Sequence, residues 1–180
     1  AQIQNLAFFD PLTQLPNRRL LDDRLQQAVA HAQRTGQHGA ALVLDLDNFK
    51  PLNDRFGHAV GDALLQQVAK RLALQVRASD TVARLGGDEF VVLLAALDGQ
   101  PDRATGQAVA LAEKIRAALA QPYVLHTGAN APEGSERIVH QCSASIGVCA
   151  FRAGVTSEIL MRADAAMYQA KKTGRNRIGV

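Results

Sequence analysis

The chain has 180 residues, with 20 Lys and Arg against 17 Asp and Glu and a formal net charge of +3. Its 47% hydrophobic and 21% charged composition suits one globular domain with its own core and excludes a disordered chain. The longest apolar run, residues 90–97, falls far short of the roughly 20 residues that cross a bilayer, no secretory signal pattern is visible, and with few aromatics and no long basic stripe duplex nucleic-acid binding is excluded.

The first element is a helix over 17–34. Asn17 is placed as its N-cap after Pro16, Leu21, Leu25, Ala28 and Val29 as its apolar stripe, and Gly36 just beyond its end. The run Ala40-Ala41-Leu42-Val43-Leu44 predicts a buried strand that ends in Asp45-Leu46-Asp47. A short helical loop through Phe56 precedes a helix over 61–76 that buries Leu64, Leu65, Val68 and Leu72. Next comes a hairpin, with Thr81-Val82-Ala83 and Phe90-Val91-Val92-Leu93-Leu94 as strands and the Gly86-Gly87 pair as its turn. A helix over 102–120 leads to a strand over 123–126, and the Gly-, Asn- and Pro-rich stretch 127–136 reads as an insertion tip. A strand over 138–151, a helix over 157–172 stopped at Gly174, and a short strand from Arg177 complete the order. A hairpin combined with helical connections implies an α+β arrangement, a mixed and mainly antiparallel sheet with helices packed on it.

The chemistry concentrates at two acidic tips. Asp88 and Glu89 follow the glycine pair, and strand alternation sends such neighbours to opposite faces, so at most one points at a given ligand. Asp45 and Asp47 share a face at the end of a core strand, where carboxylates sit poorly without a compensating cation. Magnesium suits such a place, because it takes one or two carboxylates plus substrate phosphates, as in a nucleoside triphosphate. Cys142 and Cys149 have neither a zinc nor a disulfide spacing and read as buried thiols in a reducing compartment; His58 reads as a packing residue.

Gly86-Gly87-Asp88-Glu89-Phe90 resembles the signature of the GGDEF domain, the diguanylate cyclase family. Further segments resemble that family in order: Asp10-Pro11-Leu12-Thr13, Asp45-Leu46-Asp47-Asn48-Phe49-Lys50, Asn53, Phe56-Gly57-His58, Gly61-Asp62, Ser145-Ile146-Gly147-Val148, Ala163-Asp164 through Lys171, and Gly174-Arg175-Asn176. The likeness covers residues 6–180 without a broken signature position.

This resemblance implies a palm-like, ferredoxin-related nucleotidyl cyclase core. It implies a nucleotidyltransferase that joins two GTP into cyclic di-GMP with release of two pyrophosphates, dependent on Mg2+, with Mn2+ as a substitute. Asp45, Asp88 and the backbone carbonyl of Leu46 are then the metal ligands. Asp88 is also a candidate acceptor for the hydroxyl proton, and Glu89 is a catalytic residue as either a second metal ligand or an orienting partner. Asn53 and Asp62 would read guanine, since a carboxylate accepts from N1–H and the 2-amino group that adenine lacks. Lys50, Lys171 and Arg175 would hold phosphates. Arg77 and Asp80 match the spacing of an inhibitory product site.

Simpler roles exist for several of these residues: a turn for Asn53, a helix N-cap for Asp62, relief of a helix dipole for Lys171 and Arg175, and a helix cap and turn for Arg77 and Asp80. Asp47 reads as a local hydrogen-bond acceptor more than as a ligand. Because one domain holds one GTP, the resemblance implies a homodimer as the active species, and a single cytoplasmic domain (1–180) excised from a longer, regulated protein in which further regions can provide a membrane anchor. The competing function is a catalytically silent module that binds GTP or cyclic di-GMP and controls a neighbouring domain; the intact acids and phosphate cations favour catalysis.

Overall fold

The computed structural model describes residues 6–126 and 136–180; most of the expected insertion tip lies outside them. Asn17 caps α1 (Arg18–Thr35), its side-chain carbonyl accepting from the Leu20 N–H at 3.1 Å, and Gly36 closes the helix at φ +76°. There follow β1 (His38–Leu46), α2 (Phe49–Phe56), α3 (His58–Gln75), β2 (Thr81–Gly86), β3 (Glu89–Leu97), α4 (Pro101–Leu119), β4 (Tyr123–His126), β5 (Arg137–His140), β6 (Ala144–Phe151), α5 (Thr156–Lys172) and β7 (Ile178–Gly179). The main sheet has the order β2-β3-β1-β6-β7, antiparallel except for the β6–β7 pair; β4 and β5 form a separate ribbon. No helix among the described residues is long and apolar enough to cross a membrane.

β1 is buried on both faces, which is why it reads as an unbroken apolar run. Its Leu42, Leu44 and Leu46 face a core built with α2, α3 and α4, while Ala41 and Val43 face α1 and α5. Asp45 continues the second set, toward α5. That helix sits unusually close to the sheet. A Cβ on Gly147 of β6 would collide with the backbone of Ala163 and Met167, so the glycine admits α5 to near backbone contact and fixes where its last turn lies.

Three expectations change. The helix expected from Gly61 begins at His58, because Gly57 adopts φ +88° and joins α2 to α3 as a single residue; Asp62 therefore lies within α3 and is not its N-cap. The strand expected over 138–151 is two strands in different sheets, since residues 141–143 leave the ladder and Ser143 turns its carbonyl and hydroxyl to Asp47. The hairpin turn is Gly87-Asp88, with Gly86 already paired to Glu89 and Gly87 at φ +51°.

Candidate active site

The turn places Asp88 beside the end of β1, and the Leu46 N–H donates to the Asp88 carbonyl at 3.4 Å. Asp45 pairs with Glu89 in the β1–β3 register. Lys171, on the last turn of α5, reaches the other oxygen of this corner, with Nζ 2.9 Å from Asp45 Oδ2. Asp45 Oδ1 is buried and meets no hydrogen-bond donor. Burial first, and then the Asp45 carboxylate close by, push Asp88 up to about 7, against the pull of Lys171. Two carboxyl groups that face each other with one oxygen unmet form a place for a proton or a cation.

These residues fit a divalent metal. Asp45 and Asp88 would hold it with the Leu46 carbonyl, while among the described residues no three His, Cys, Asp or Glu side chains cluster as an all-protein cage. An oxygen-ligated cation that takes two carboxylates and completes its shell from substrate phosphates suits that donor set. Glu89, the cross-strand partner of Asp45, lies on the same face of the sheet. Burial raises it above the usual carboxylate range, Asp164 and Asp45 add to the rise and Arg18 opposes it. It lies on the rim of a groove of about 500 Å³ between α1 and α5, floored by Val43, Val91 and Leu160.

Asp47 has a different setting. It is 1% exposed and accepts from the Ser143 hydroxyl at 2.6 Å, the Ser145 hydroxyl at 2.7 Å and the Asn176 N–H at 3.0 Å. The expected hydrogen-bonding role is present, but its partners lie 96 to 129 residues away and are not local. The Asn176 bond ties down a turn in which Gly174, Arg175 and Asn176 all have positive φ, and Arg175 projects exposed from it.

On the other side of β1, α2 and α3 bring Asn53 against Gly61, with Asp62 exposed on the next position and Lys50 exposed on α2. The Asn53 carbonyl accepts from the Gly57 N–H at 2.8 Å, closing α2. Arg77 and Asp80 stand at the far end of β3, away from Asp88. The Asp80 side chain is 2% exposed; it accepts from the N–H groups of Arg77 and Ala95, and Arg77 also donates to the Ala95 carbonyl. The pair thus builds the turn before β2 as well as any site it lines.

Arg84 and Asp10 had no role assigned from sequence. Arg84 donates twice to the Gly87 carbonyl, at 3.0 and 2.8 Å, and binds Asp10 at 2.9 Å with both side chains largely buried. Asp10 also receives the Thr13 N–H and hydroxyl. Burial works against its ionisation, but these bonds and Arg84 hold it below the usual range. The segment before α1 is thereby bolted to the turn that carries Asp88. An arginine two residues before a glycine turn was the available signal.

The tip of this mainly antiparallel α+β sheet thus carries a carboxylate pair, with a lysine 2.9 Å from one of them and an exposed arginine on the next turn. Residues 7–177 match the family described as "Diguanylate cyclase, GGDEF domain", and the chain belongs to that family. It is 46% identical over 177 residues to the bifunctional diguanylate cyclase/cyclic di-GMP phosphodiesterase MucR of Pseudomonas aeruginosa, covering 97% of this chain and 24% of MucR. It is 38% identical over 173 residues to the response regulator PleD of Caulobacter vibrioides, covering 96% of this chain and 36% of PleD. The chain thus spans well under half the length of these relatives. Among solved structures, the GGDEF domain of TpbB (YfiN) from Pseudomonas aeruginosa superposes with a TM-score of 0.82 at 38% identity, covering 95% of this chain and 92% of that one. The coiled-coil and GGDEF domain of DgcB from Caulobacter crescentus, solved in complex with c-di-GMP, gives 0.83 at 28%, covering 99% and 87%.

Proposed function

We propose that this domain is a diguanylate cyclase that condenses two GTP into cyclic di-GMP and two pyrophosphates, with Mg2+ as its metal. The confrontation of Asp45 and Asp88, with a buried Asp45 oxygen that no donor meets, is the observation that carries this reading. Family membership supports it. A divalent ion held there would polarise the phosphates and lower the pKa of the attacking hydroxyl.

In each transfer a 3′-hydroxyl oxygen bonds to the α-phosphorus of the other GTP, the bond from that phosphorus to the bridging oxygen breaks, and pyrophosphate leaves with the electron pair. Asp88 is the residue that can take the hydroxyl proton as a carboxylate, which burial and the neighbouring Asp45 make more basic than an ordinary aspartate. Lys171 neutralises Asp45 and lies within reach of a phosphate brought to that corner. Arg175 and Lys50, both exposed, add charge for the β- and γ-phosphates. Asn53 and Asp62 read guanine across the α2–α3 junction, and Glu89 orients the tip from the face it shares with Asp45. One GTP per domain means that two copies meet head to tail, so the active form is a homodimer. Cyclic di-GMP bound at Arg77 and Asp80 inhibits; the c-di-GMP complex of DgcB supports a product site in such a domain.

The test is product chromatography after incubating the purified chain at high concentration with GTP and Mg2+, beside Asp88→Asn. Cyclic di-GMP from the parent and a loss on the order of 10³-fold in the variant are expected. Absence of product despite GTP binding and dimer formation would leave the silent regulatory module.

A further inference from the structure

We infer that Gly61 is a positioning residue for guanine recognition, because its missing side chain is the space that the Asn53 amide occupies. This rests on the proposed role of Asn53. A Cβ built on Gly61 would lie 1.7 Å from Asn53 Oδ1 and 2.8 Å from its Cγ, with Phe49 Cζ at 3.2 Å. Gly61 itself is buried, on the first turn of α3. The amide of Asn53 therefore lies directly on the Gly61 backbone, across the single-residue junction at Gly57.

What holds the amide there is packing alone. Asn53 Oδ1 is buried and has no hydrogen-bond partner. A carbonyl in that state is stabilised only by contacts such as a Cα–H beneath it, and it is the Nδ2 end that remains to meet a ligand. An acceptor on the purine ring can take that donor while the neighbouring Asp62 accepts from N1–H and the 2-amino group. Helix α3 thus provides the acceptor directly, through Asp62, and the donor indirectly, through the gap at Gly61.

The collision is with the end of a flexible side chain, so a methyl at position 61 displaces Asn53 and leaves the helix intact. Alanine also favours helix more than glycine does, so the variant has no reason to lose stability. A residue that served only to allow helix packing would behave in the opposite way.

Gly61→Ala, Asn53→Ala and the double variant are compared by pyrophosphate release as GTP is varied, and by thermal unfolding. For Gly61→Ala, KM for GTP should rise about tenfold, the loss of one hydrogen bond, with kcat within about twofold and Tm unchanged or higher. In the double variant KM should match that of Asn53→Ala, because the second change has nothing left to displace. Full additivity, or a Gly61→Ala enzyme with the parent KM beside an impaired Asn53→Ala, would overturn the role of Gly61 while keeping that of Asn53. A parent-like KM in Asn53→Ala would overturn both.

Discussion

Asp45 and Asp47 stand two residues apart at the end of one strand and turn to the same side, yet their surroundings are opposite. Asp47 is fully buried and each of its oxygens is met, by two serine hydroxyls and a backbone N–H. Asp45 is a quarter exposed, has one oxygen on Lys171 and the other without a donor, and faces a second acid. A protein that needed only structure from these residues would have satisfied both, since an unmet buried acceptor costs about 1–3 kcal/mol. The difference separates a carboxylate that anchors from one that is kept available.

The contrast can be broken most directly by substitution at Asp47 and at Asp88, the acid that Asp45 faces. Asp47→Ala should lower stability by about 2–4 kcal/mol, because it strands two hydroxyls and the Asn176 N–H, and lower Tm by roughly 5–15 °C. Asp88→Asn, which removes the repulsion with Asp45, should leave Tm equal or higher while turnover disappears. Calorimetric melts of the two variants check this; a large stability loss in Asp88→Asn would erase the distinction.

A smaller effect is expected from the bolt behind the turn. Arg84→Ala removes the Asp10 pair and both bonds to the Gly87 carbonyl, so kcat should fall by between about 10- and 100-fold through misplacement of Asp88. Arg84→Lys keeps the charge but not the fork and should fall between. Steady-state rates suffice to compare them.

The smallest effect is a pH dependence that sharpens the contrast. Asp88, ordinarily near 3.8, titrates at about 7 in the fold, so between those values the folded domain binds a proton that the unfolded chain has released. Stability contributed by this group is present below the lower value and falls as pH rises through the window. A cation that needs both carboxylates ionised competes with that proton. Its affinity should therefore increase with pH up to about 7 and level off above, as metal titrations at several pH values would show. Asp88→Asn should flatten the stability profile.

Much of this was legible from the chain because the chemistry clusters in short segments. An apolar run ending in Asp45, a glycine turn beside Asp88, and Lys171 at a helix end all announce themselves locally. The residues that escaped are those whose partners are distant. Asp47 reads as a local hydrogen-bond acceptor, but its partners at positions 143, 145 and 176 leave no local pattern. The start of α3 is not legible because one glycine at φ +88° separates two helices that would ordinarily need a longer loop. The apolar stretch over 138–151 hid a break because Cys142 keeps it hydrophobic while Ser143 is drawn off to Asp47.

The hydrogen bond from Asn176 to Asp47 also has a meaning in time. Asp45 and Asp47 leave the ribosome more than 120 residues before Lys171 and Asn176. Until α5 docks on Gly147 and the last turn closes, one buried acid lacks its third donor and the other its counter-ion. The acidic corner is therefore completed only after α5 and the turn behind it have been made, more than 120 residues after its own carboxylates.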